Sequence, residues 1–475
     1  MTEILRPDFC VIGGGPGGMA AARRAAALGA EVVIVEKRPL GAVEPLRGAF
    51  QAELLAAAAA NTLAPRATRL AGHEAEPGLD FRRLTHEADA MLARHAREDS
   101  PARLAGLKIK VIQATGSFTD RARFEAGETA IEAKQFLLAL GSRATAPALP
   151  GLELVRALRP EKLGELILAP KSLAVIGAGA DELMFVQAFL RLGAKATLFS
   201  PTRLLAEEDP ELAAPLLTAL QKEGLQMAEG AKIAAIEPTA GGLGAKLTLT
   251  DGTVLDVTHV VCAQERVPVL EGLGLKAAKV GYDKKGIKVD GECRSGTNSR
   301  ISVIRDDIES VRALQTARSE GEWIAQRLFG PGKSPQNMLA RIVPTDPEIA
   351  VVGLTEAQAR KRFRKIQVFR AGFCDNLRAE TMAHASRHPL VGHIKIIADV
   401  RNRVVGAGIV GPRARELIGY FGLAVAKELR VEELTTFATN QPSLSEICQA
   451  AALAFMPHKS KVSVWQRLTA QFSLR

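Results

Sequence analysis

The first residues of the chain whose spacing suggests chemistry are glycines rather than nucleophiles. An apolar run, Phe9–Ile12, is followed by the letters GGGPGG, an alanine-rich helical stretch and a second apolar run that ends at Glu36. In such a strand–turn–helix–strand unit, Gly13 permits the tight turn, Gly15 lets the backbone approach a pyrophosphate, and Gly18 lets the helix pack closely on the strand. Free N–H groups at the helix start favour phosphates, and Glu36 is placed to accept hydrogen bonds from a ribose. The pattern therefore predicts a dinucleotide-binding unit.

The same pattern recurs later in the chain in an imperfect form. A predicted strand, Ser172–Ile176, leads into a turn with Gly177 and Gly179, then a helix and a further strand. Glu182 stands where the third glycine belongs, and Ser200 stands where a ribose-binding acid would be. At an effective dielectric of about 20, a carboxylate ~5 Å from a pyrophosphate costs on the order of 3 kcal/mol for each like-charge pair, or roughly a hundredfold in affinity. A second nucleotide-type unit is predicted, with weak or no dinucleotide binding.

Length and composition indicate a globular chain with several domains. Its 475 residues are 47% hydrophobic and 24% charged, which suffices for about three domains and excludes a disordered chain. The N-terminus lacks the apolar core of a signal peptide, and no apolar run reaches the ~18 residues of a membrane-spanning helix. The net charge of +10 comes partly from Arg360–Lys365 and from the last residues of the chain, Met456–Arg475. Because no aromatic ladder accompanies these cations, nucleic-acid binding is not predicted.

The cysteines and histidines carry no metal or disulfide signature. The five cysteines, at positions 10, 262, 293, 374 and 448, are scattered and never spaced as Cys-x-x-Cys. We therefore expect a reducing, cytoplasmic location without a disulfide scaffold, and we interpret Cys374 as a structural residue rather than a replacement thiol. His384, His388 and His393 form a loose cluster that matches no zinc template, so a solvated turn is the preferred interpretation. No metal is expected.

Other segments complete the organisation of the chain. Phe136–Ser142 is predicted to be a buried strand that runs into a proline-rich turn. From about Pro344 the pattern changes to alternating strands, Ile349–Val352, His393–Ala398 and Val404–Val410, with two helices and no glycine turn. This pattern is typical of an α+β module.

Taken in this order, these features resemble those of the pyridine nucleotide–disulfide oxidoreductases. The resemblance is to the branch of that family that includes dihydrolipoamide dehydrogenase and mercuric reductase. The resemblance spans Asp8 to about Phe455. Besides the two glycine turns and Glu36, it rests on Ala139–Ser142, Pro150–Gly151, Arg266–Pro268, Asp306, Thr345–Glu348, Val352–Thr355 and Pro442–Glu446. It implies an α/β fold with two Rossmann-like, three-layer nucleotide-binding domains and a C-terminal α+β interface domain that forms a homodimer.

The resemblance also implies domain limits and cofactor contacts. The FAD-binding domain would be split into residues 1–150 and 268–340, around an NAD(P)-binding-like domain at 151–267, and followed by a dimerisation domain at 341–457 and a basic tail at 458–475. The implied FAD contacts are Gly13, Gly15, Gly18, Glu36, Gly141, Ser142 and Asp306. The implied NAD(P) contacts are Gly177, Gly179 and Arg266.

The redox segment of the family, G-G-T-C-L-N-x-G-C-x-P-S-K, is where this sequence departs most. With Gly41 and Gly48 fixing the register, Glu44 and Ala49 occupy the two cysteine positions, and Glu53 occupies the lysine position. Neither Glu44 nor Ala49 carries sulfur, so dithiol–disulfide exchange is not expected at this site.

The acid–base pair that the partner subunit contributes in the family is also altered. Gln441 stands at the histidine position, and its amide cannot exchange protons near neutral pH. Glu446 is retained, with a role reduced to a helix N-cap or a surface acid. No catalytic residue of the family is therefore expected to act here.

The nicotinamide and flavin positions show further departures. Met184 replaces the acid that pairs with the family's lysine, and Glu265 replaces the glycine before Arg266. NAD(P)H is therefore not expected to bind in the usual pose. In the flavin half of the FAD site, Leu140 replaces a threonine, and Arg305, in place of a glycine, either blocks the cofactor or supports it.

The expected function is an atypical FAD-dependent oxidoreductase, a flavoprotein that passes electrons directly through flavin with weak or no NAD(P)H use. The alternative is a non-catalytic dimeric scaffold or regulatory pseudoenzyme with an unknown protein partner and with FAD structural or absent. The basic tail places Val464, Trp465, Leu468 and Phe472 at helical spacing. That spacing is compatible with peripheral membrane contact and, at least equally, with docking on the dimer.

Overall fold

The computed structural model describes residues 3–40, 44–68, 79–96, 99–145, 147–177, 179–239, 244–262, 265–283, 286–304, 311–331, 340–386, 391–436 and 438–455. The chain forms two compact units. The first comprises Met1–Glu207, Leu217–Leu339 and Val343–Thr345, and the second comprises Glu208–Leu216, Ala340–Ile342 and Asp346–Arg475.

The first stretch of unit one alternates short strands with helices. Its elements are β1 (Glu3–Leu5), β2 (Phe9–Ile12), α1 (Pro16–Ala27), β3 (Val32–Val35), α2 (Glu44–Thr68), α3 (Phe81–Ala96), α4 (Pro101–Gly106), β4 (Ile109–Ile112), β5 (Gly116–Phe118), β6 (Phe124–Ala126), β7 (Thr129–Ile131), β8 (Gln135–Leu138) and β9 (Ser142–Thr145). The strand expected over Phe136–Ser142 ends at Leu138. Gly141, at φ +63°, turns the chain so that Ser142 opens a separate strand.

The middle stretch of unit one forms a second parallel sheet. Its elements are β10 (Ala157–Leu158), β11 (Ser172–Ile176), α5 (Ala180–Arg191), β12 (Lys195–Ser200), α6 (Pro210–Lys222), β13 (Leu225–Glu229), β14 (Ile233–Pro238), β15 (Ala245–Leu249), β16 (Val254–Val257), β17 (His259–Cys262) and β18 (Glu265–Pro268). The residues of α6 up to Leu216 belong to unit two. Strands β10-β17-β11-β12-β13 are parallel in that order, and β14, β15 and β16 form an antiparallel meander. Parallel strands without hairpin connections are the expected result of buried, valine-rich runs covered by helices.

The last stretch of unit one returns to the first sheet. Its elements are β19 (Tyr282–Asp283), β20 (Gly286–Ile287), β21 (Ile301–Val303) and α7 (Val311–Phe329). Strands β21-β8-β2-β3-β4 are parallel in that order. Helix α7 packs on α1 through backbone, because a Cβ added to Gly321 would overlap the carbonyl oxygen of Gly17. The first sheet is therefore built from two parts of the chain, one that precedes the second sheet in the sequence and one that follows it.

Unit two is an antiparallel sheet covered by helices. Its elements are β22 (Arg341–Val343), β23 (Glu348–Gly353), α8 (Glu356–Arg362), β24 (Ile366–Gly372), α9 (Leu377–Ser386), β25 (His393–Asp399), β26 (Val404–Gly411), α10 (Ala414–Ala426) and α11 (Glu446–Leu453). The strand order is β22-β23-β26-β25-β24. Alternate residues of β25, Ile394 and Ile396, are buried in a core with Phe373, Phe421 and Ile447. The period-2 pattern of the strand explains this face.

A buried lysine organises the charged residues of unit two. Lys395 is 2% exposed, and its Nζ lies 2.7 Å from Asp209 Oδ2, 2.7 Å from Glu211 Oε2 and 2.6 Å from Glu356 Oε2. Burial lowers the pKa of Lys395, but the hydrogen bonds to these carboxylates raise it more. Hydrogen bonds from Arg370 and then Lys395 lower the pKa of Glu211 to about 2. A buried ammonium without such partners would be strongly destabilising.

The described residues bring no three His, Cys, Asp or Glu side chains into an arrangement that could hold a metal ion. His388 lies outside the described residues, and His393 Nε2 lies 3.3 Å from Glu211 Oε1. Among the described helices, none is long and apolar enough to cross a membrane.

We predict that Glu211 makes unit two sensitive to acid. Its pKa falls from 4.5 to about 2 on folding, so its stabilising contribution is complete above about pH 4.5 and is lost as the pH falls through about 2. Glu211→Gln should cost about 2 kcal/mol near pH 7 and should flatten the fall in stability at lower pH. Urea unfolding over a pH series checks this. The control, Glu271→Gln, changes an acid that is 79% exposed, and an equally steep pH dependence in both variants would contradict the assignment.

Candidate functional site

The first glycine turn joins β2 to α1 at the carboxyl end of the first parallel sheet. Gly13 has φ +108°, and a Cβ there would overlap the carbonyl oxygen of Ala139, while a Cβ on Gly18 would overlap the carbonyl oxygen of Gly13. By contrast, no described atom lies within 4 Å of a Cβ added to Gly15. Two of the glycines are thus required by packing, and the third leaves open space above the backbone.

Glu36 holds this turn at the end of the neighbouring strand β3. Its carboxylate accepts a hydrogen bond from Gly14 N at 2.7 Å and one from Arg38 N at 2.9 Å. Gly13 N donates to the carbonyl oxygen of Val35 at 2.9 Å, which fixes the turn against the same strand. Glu36 is half-buried, so its carboxylate is positioned at the sheet edge with capacity to accept from a ribose hydroxyl as well.

The start of α1 is prepared for an anion. The helix begins at Pro16 after the N-cap residue Gly15, which has no side chain to cap the first N–H groups, and its first turn contains no acid. These N–H groups and the positive end of the helix dipole therefore favour a ligand's negative charge. Together with the open space over Gly15 and the carboxylate of Glu36, they fit the adenosine pyrophosphate half of a dinucleotide.

The remaining residues of the implied FAD site are only partly described. Gly141 is exposed at the turn between β8 and β9, and Ser142 begins β9, which pairs with β18. Asp306 and Arg305 lie outside the described residues.

The second glycine turn has the same backbone but different surroundings. Gly177 has φ +85°, and its N–H donates to Phe199 O at 2.9 Å, as Gly13 does to β3. However, the carboxylate of Glu182 lies over Gly179, where it would meet an added Cβ. The first turn of α5 carries Asp181 as well as Glu182. Two carboxylates of the chain itself therefore stand at the helix end that a pyrophosphate would occupy.

A small cavity lies at one end of the second parallel sheet. At the carboxyl end of β17, a cavity of about 280 Å³ is lined mainly by apolar residues, among them Leu149, Leu152 and Val155, together with Arg159 and Cys262. Burial and then the charge of Glu182 raise the pKa of Cys262 to about 12, with Arg159 acting in the opposite sense. The thiol is therefore protonated at neutral pH. The backbone of Arg266 belongs to β18 and pairs with Ala144 of β9, and its side chain lies outside the described residues.

Helix α2 contains residues 44 and 49, which the resemblance aligns with the family's two cysteines. Both residues are helical, and neither Glu44 nor Ala49 carries sulfur. Arg47 forms a two-pronged ion pair with Asp89 of α3, which fixes the first turns of α2. Glu53, at the family's lysine position, is half-buried. An ion pair thus holds the first turns of α2 against α3.

None of the five cysteines forms a disulfide. All five lie in described residues, and none occurs between Cys10 and Cys262. Cys10 is fully buried in β2, and burial raises its pKa well above the ordinary range. Burial likewise raises the pKa of Cys448 to about 12. Only Cys374 is exposed.

The segment around Gln441 is ordered by backbone hydrogen bonds. Ser443 N donates to Glu446 Oε2 at 2.8 Å, and Asn376 Nδ2 donates to Ser443 O at 2.8 Å. Glu446 opens α11, so its carboxylate stabilises the turn before that helix. Gln441 is exposed.

Comparison with known proteins gives the family. Residues 7–321 match the family model described as pyridine nucleotide-disulphide oxidoreductase, and residues 339–452 match the model of its dimerisation domain. The chain belongs to this family. Its members bind FAD and use NAD(P)H as a second cofactor, and FAD is the cofactor whose adenosine pyrophosphate half the first turn fits.

Relatives in this oxidoreductase family extend over nearly the whole chain. A dihydrolipoyl dehydrogenase of Thermus scotoductus is 31% identical over 473 residues, which cover 97% of this chain and 99% of the relative. A mercuric reductase of Streptomyces lividans is 29% identical over 471 residues, covering 96% and 98%. The crystal structure of LpdA from Mycobacterium tuberculosis has a similar fold, with a TM-score of 0.80 at 23% identity over 95% of this chain and 100% of that chain.

The sequence analysis does not single out two charged residues of this region, Asp181 and Arg159. Asp181 adds a second carboxylate to the start of α5, and its place directly before Glu182 was a usable signal. Arg159 follows β10 and reaches the same cavity as Cys262. No local pattern marks Arg159, because only the pairing of β10 with β17 brings it there.

The contrast between Gly15 and Gly18 generates a prediction about FAD. Gly15→Ala should leave the fold intact but lower FAD content, because its methyl group would occupy the space over the turn. Gly18→Ala should destabilise the unit by about 2 kcal/mol or more, because its methyl would overlap Gly13 O. Flavin absorbance per protein and thermal unfolding of FAD-free samples separate the two effects. Equal loss of fold in both variants would contradict the distinct roles.

Proposed function

We propose that this chain is an FAD-dependent oxidoreductase that works without a redox disulfide and with weak or no use of NAD(P)H. The observation that carries the proposal is the absence of any cysteine between Cys10 and Cys262. The resemblance places Glu44 and Ala49 where the family has its sulfur pair. A dithiol relay needs two sulfur atoms, and neither of these residues supplies one.

The residues of the first turn support retention of FAD. Gly15 and the N–H groups at the start of α1 would hold the pyrophosphate, and Glu36 would hold the adenosine ribose. When bound, FAD supplies a centre that accepts and returns two electrons. The chain would bind and orient this cofactor, and neither Glu44 nor Ala49 offers a sulfur atom that would intercept the electrons on the way to an acceptor.

The charge at the second turn supports weak NAD(P)H use. The positive end of α5 is already compensated by Asp181 and Glu182, and Glu182 lies over Gly179. A pyrophosphate would have to displace these carboxylates or approach them closely, at a cost on the order of 3 kcal/mol for each like-charge pair. We therefore infer a reductant other than NAD(P)H and a small acceptor such as a quinone.

The dimerisation domain supports a homodimer as the working form. In the segment around Gln441, the amide exchanges no proton near neutral pH. Glu446 is engaged with the backbone N–H of Ser443, which leaves this segment a structural role. The proposed chemistry needs no acid–base residue from this segment.

Visible spectroscopy of the purified protein tests the proposal as a whole. A yellow protein that dithionite bleaches, and that NADH and NADPH bleach slowly or not at all, is the expected result. Rapid bleaching by either nicotinamide would contradict the inferred reductant. A colourless dimer that takes up no FAD would contradict the flavoprotein and favour a non-catalytic scaffold.

We predict that Glu182 limits nicotinamide binding. Glu182→Ala should tighten NADH binding by roughly a hundredfold for each like-charge repulsion removed, and Glu182→Gln should recover the part due to charge alone. Quenching of NADH fluorescence during titration measures both. Glu165→Ala, which removes a half-exposed acid of the same unit, serves as the control. Unchanged affinity in both Glu182 variants would remove the electrostatic explanation.

We also predict that no thiol takes part in electron transfer. Cys374 is the exposed cysteine of the five, so Cys374→Ser, or alkylation of the native protein, should leave the rate of flavin reoxidation by a benzoquinone unchanged. Stopped-flow mixing of the dithionite-reduced protein with the quinone measures that rate. A loss of tenfold or about that magnitude would show that sulfur chemistry persists.

A further inference from the structure

One end of unit two carries exposed cations that no acid of the described structure neutralises. They are Lys361, Arg362, Arg364, Lys365 and Arg401, here called the basic rim. Across the described residues, none of the five side chains forms an ion pair. The neighbouring Arg360, by contrast, pairs with Glu356 of the same helix.

Strand register brings the two parts of the basic rim together. Ile366 pairs with Asp399, so the residues just before β24 lie beside the turn between β25 and β26. Gln367 Nε2 donates to Asn402 Oδ1 at 2.6 Å and ties the turn in place. Val400, at the tip of that turn, is 63% exposed. The rim is therefore a set of cations around a protruding apolar side chain.

The acids of the same elements point inward. Glu356, at the start of α8, bonds the buried Lys395. Asp399, at the end of β25, is 2% exposed and accepts from Arg403 Nε at 2.8 Å. Glu428 is exposed beside this turn but pairs with Arg403. Because these carboxylates neutralise other cations of the unit, the basic rim keeps its positive charge. Such segregation favours a polyanionic partner.

We propose that the basic rim is a contact for an anionic lipid surface. Clusters of roughly 4–8 lysines and arginines are attracted to anionic headgroups, and the exposed Val400 gains by entering the headgroup layer. A polynucleotide has no apolar layer that the Val400 side chain could enter, and proteins that bind single strands use aromatic side chains on which the bases stack. Phe363, the aromatic residue within the rim, is half-buried under the Arg362 guanidinium, 5.7 Å from its ring centroid. The proposal is independent of the flavin chemistry because the rim lies wholly in unit two.

Vesicle sedimentation of the full chain tests this contact. The wild-type protein should sediment with phosphatidylcholine vesicles that contain about one-third phosphatidylglycerol, and not with pure phosphatidylcholine. Replacing the five rim cations by glutamine should lower the partition coefficient by about tenfold or more, and added salt should have the same effect on the wild type. Val400→Ser should weaken binding by a smaller factor, because it removes the apolar contact alone.

A matched control removes the same charge from other places. Lys171, Lys195, Lys222, Lys232 and Lys276 are exposed lysines of the described structure without ion pairs, and their replacement by glutamine should change binding less than about twofold. Circular dichroism and thermal unfolding verify that each variant folds. Equal binding by the rim variant and the control would overturn the proposal. So would an absence of wild-type binding to anionic vesicles, or binding to duplex DNA alone. Loss of binding only when Lys459, Lys461, Arg467 and Arg475 are replaced would assign the contact to the tail and overturn the role of the rim.

Discussion

The attraction between the positive end of a helix and a negative charge distinguishes the two glycine turns of this chain. Helix α1 starts without an acid or a side-chain cap, so its exposed N–H groups need an anion from outside. Helix α5 starts with Asp181 and Glu182, which supply that charge from the chain itself. Two turns with nearly the same backbone therefore differ in what they can hold. The start of α1 is free of carboxylates and favours a phosphate, whereas the start of α5 already has two carboxylates of the chain beside it.

The same division runs through the rest of unit one. The contacts at Gly13 and Gly18 are fixed by backbone atoms that leave no space for a side chain, so the adenosine side of the cofactor site depends on packing as well as on binding. The electron-transfer side depended in the family on a few reactive side chains, and those side chains can change without loss of the fold. In this chain, Arg47 of α2 forms an ion pair with Asp89, which stabilises the helix but carries no electrons. The proposed retention of FAD without a sulfur relay is consistent with this difference.

The sequence allowed the architecture to be predicted well and the charged interior poorly. The glycine turn, Glu36 and the buried strand Phe9–Ile12 lie close together in the sequence, so a local pattern predicts them. The structure joins them as expected. The end of β8 at Leu138 could not be seen, because it depends on the positive φ of Gly141. Lys395 lies between the buried residues Ile394 and Ile396 of β25, and its partners Asp209 and Glu211 are more than 180 positions away. No periodicity shows such a pairing, since it depends on how distant segments fold together.

The backbone contact between Gly17 and Gly321 has a consequence for biosynthesis. Helix α1 leaves the ribosome early, while the helix that must cover it is made only after the entire second sheet has been translated. The residues from β10 to β17 form a parallel sheet and an antiparallel meander of their own and can acquire structure first, as domains fold in units during synthesis. Until α7 emerges, the nascent N-terminal segment keeps an uncovered glycine- and alanine-rich face. Transiently exposed apolar surface of this kind favours aggregation during synthesis.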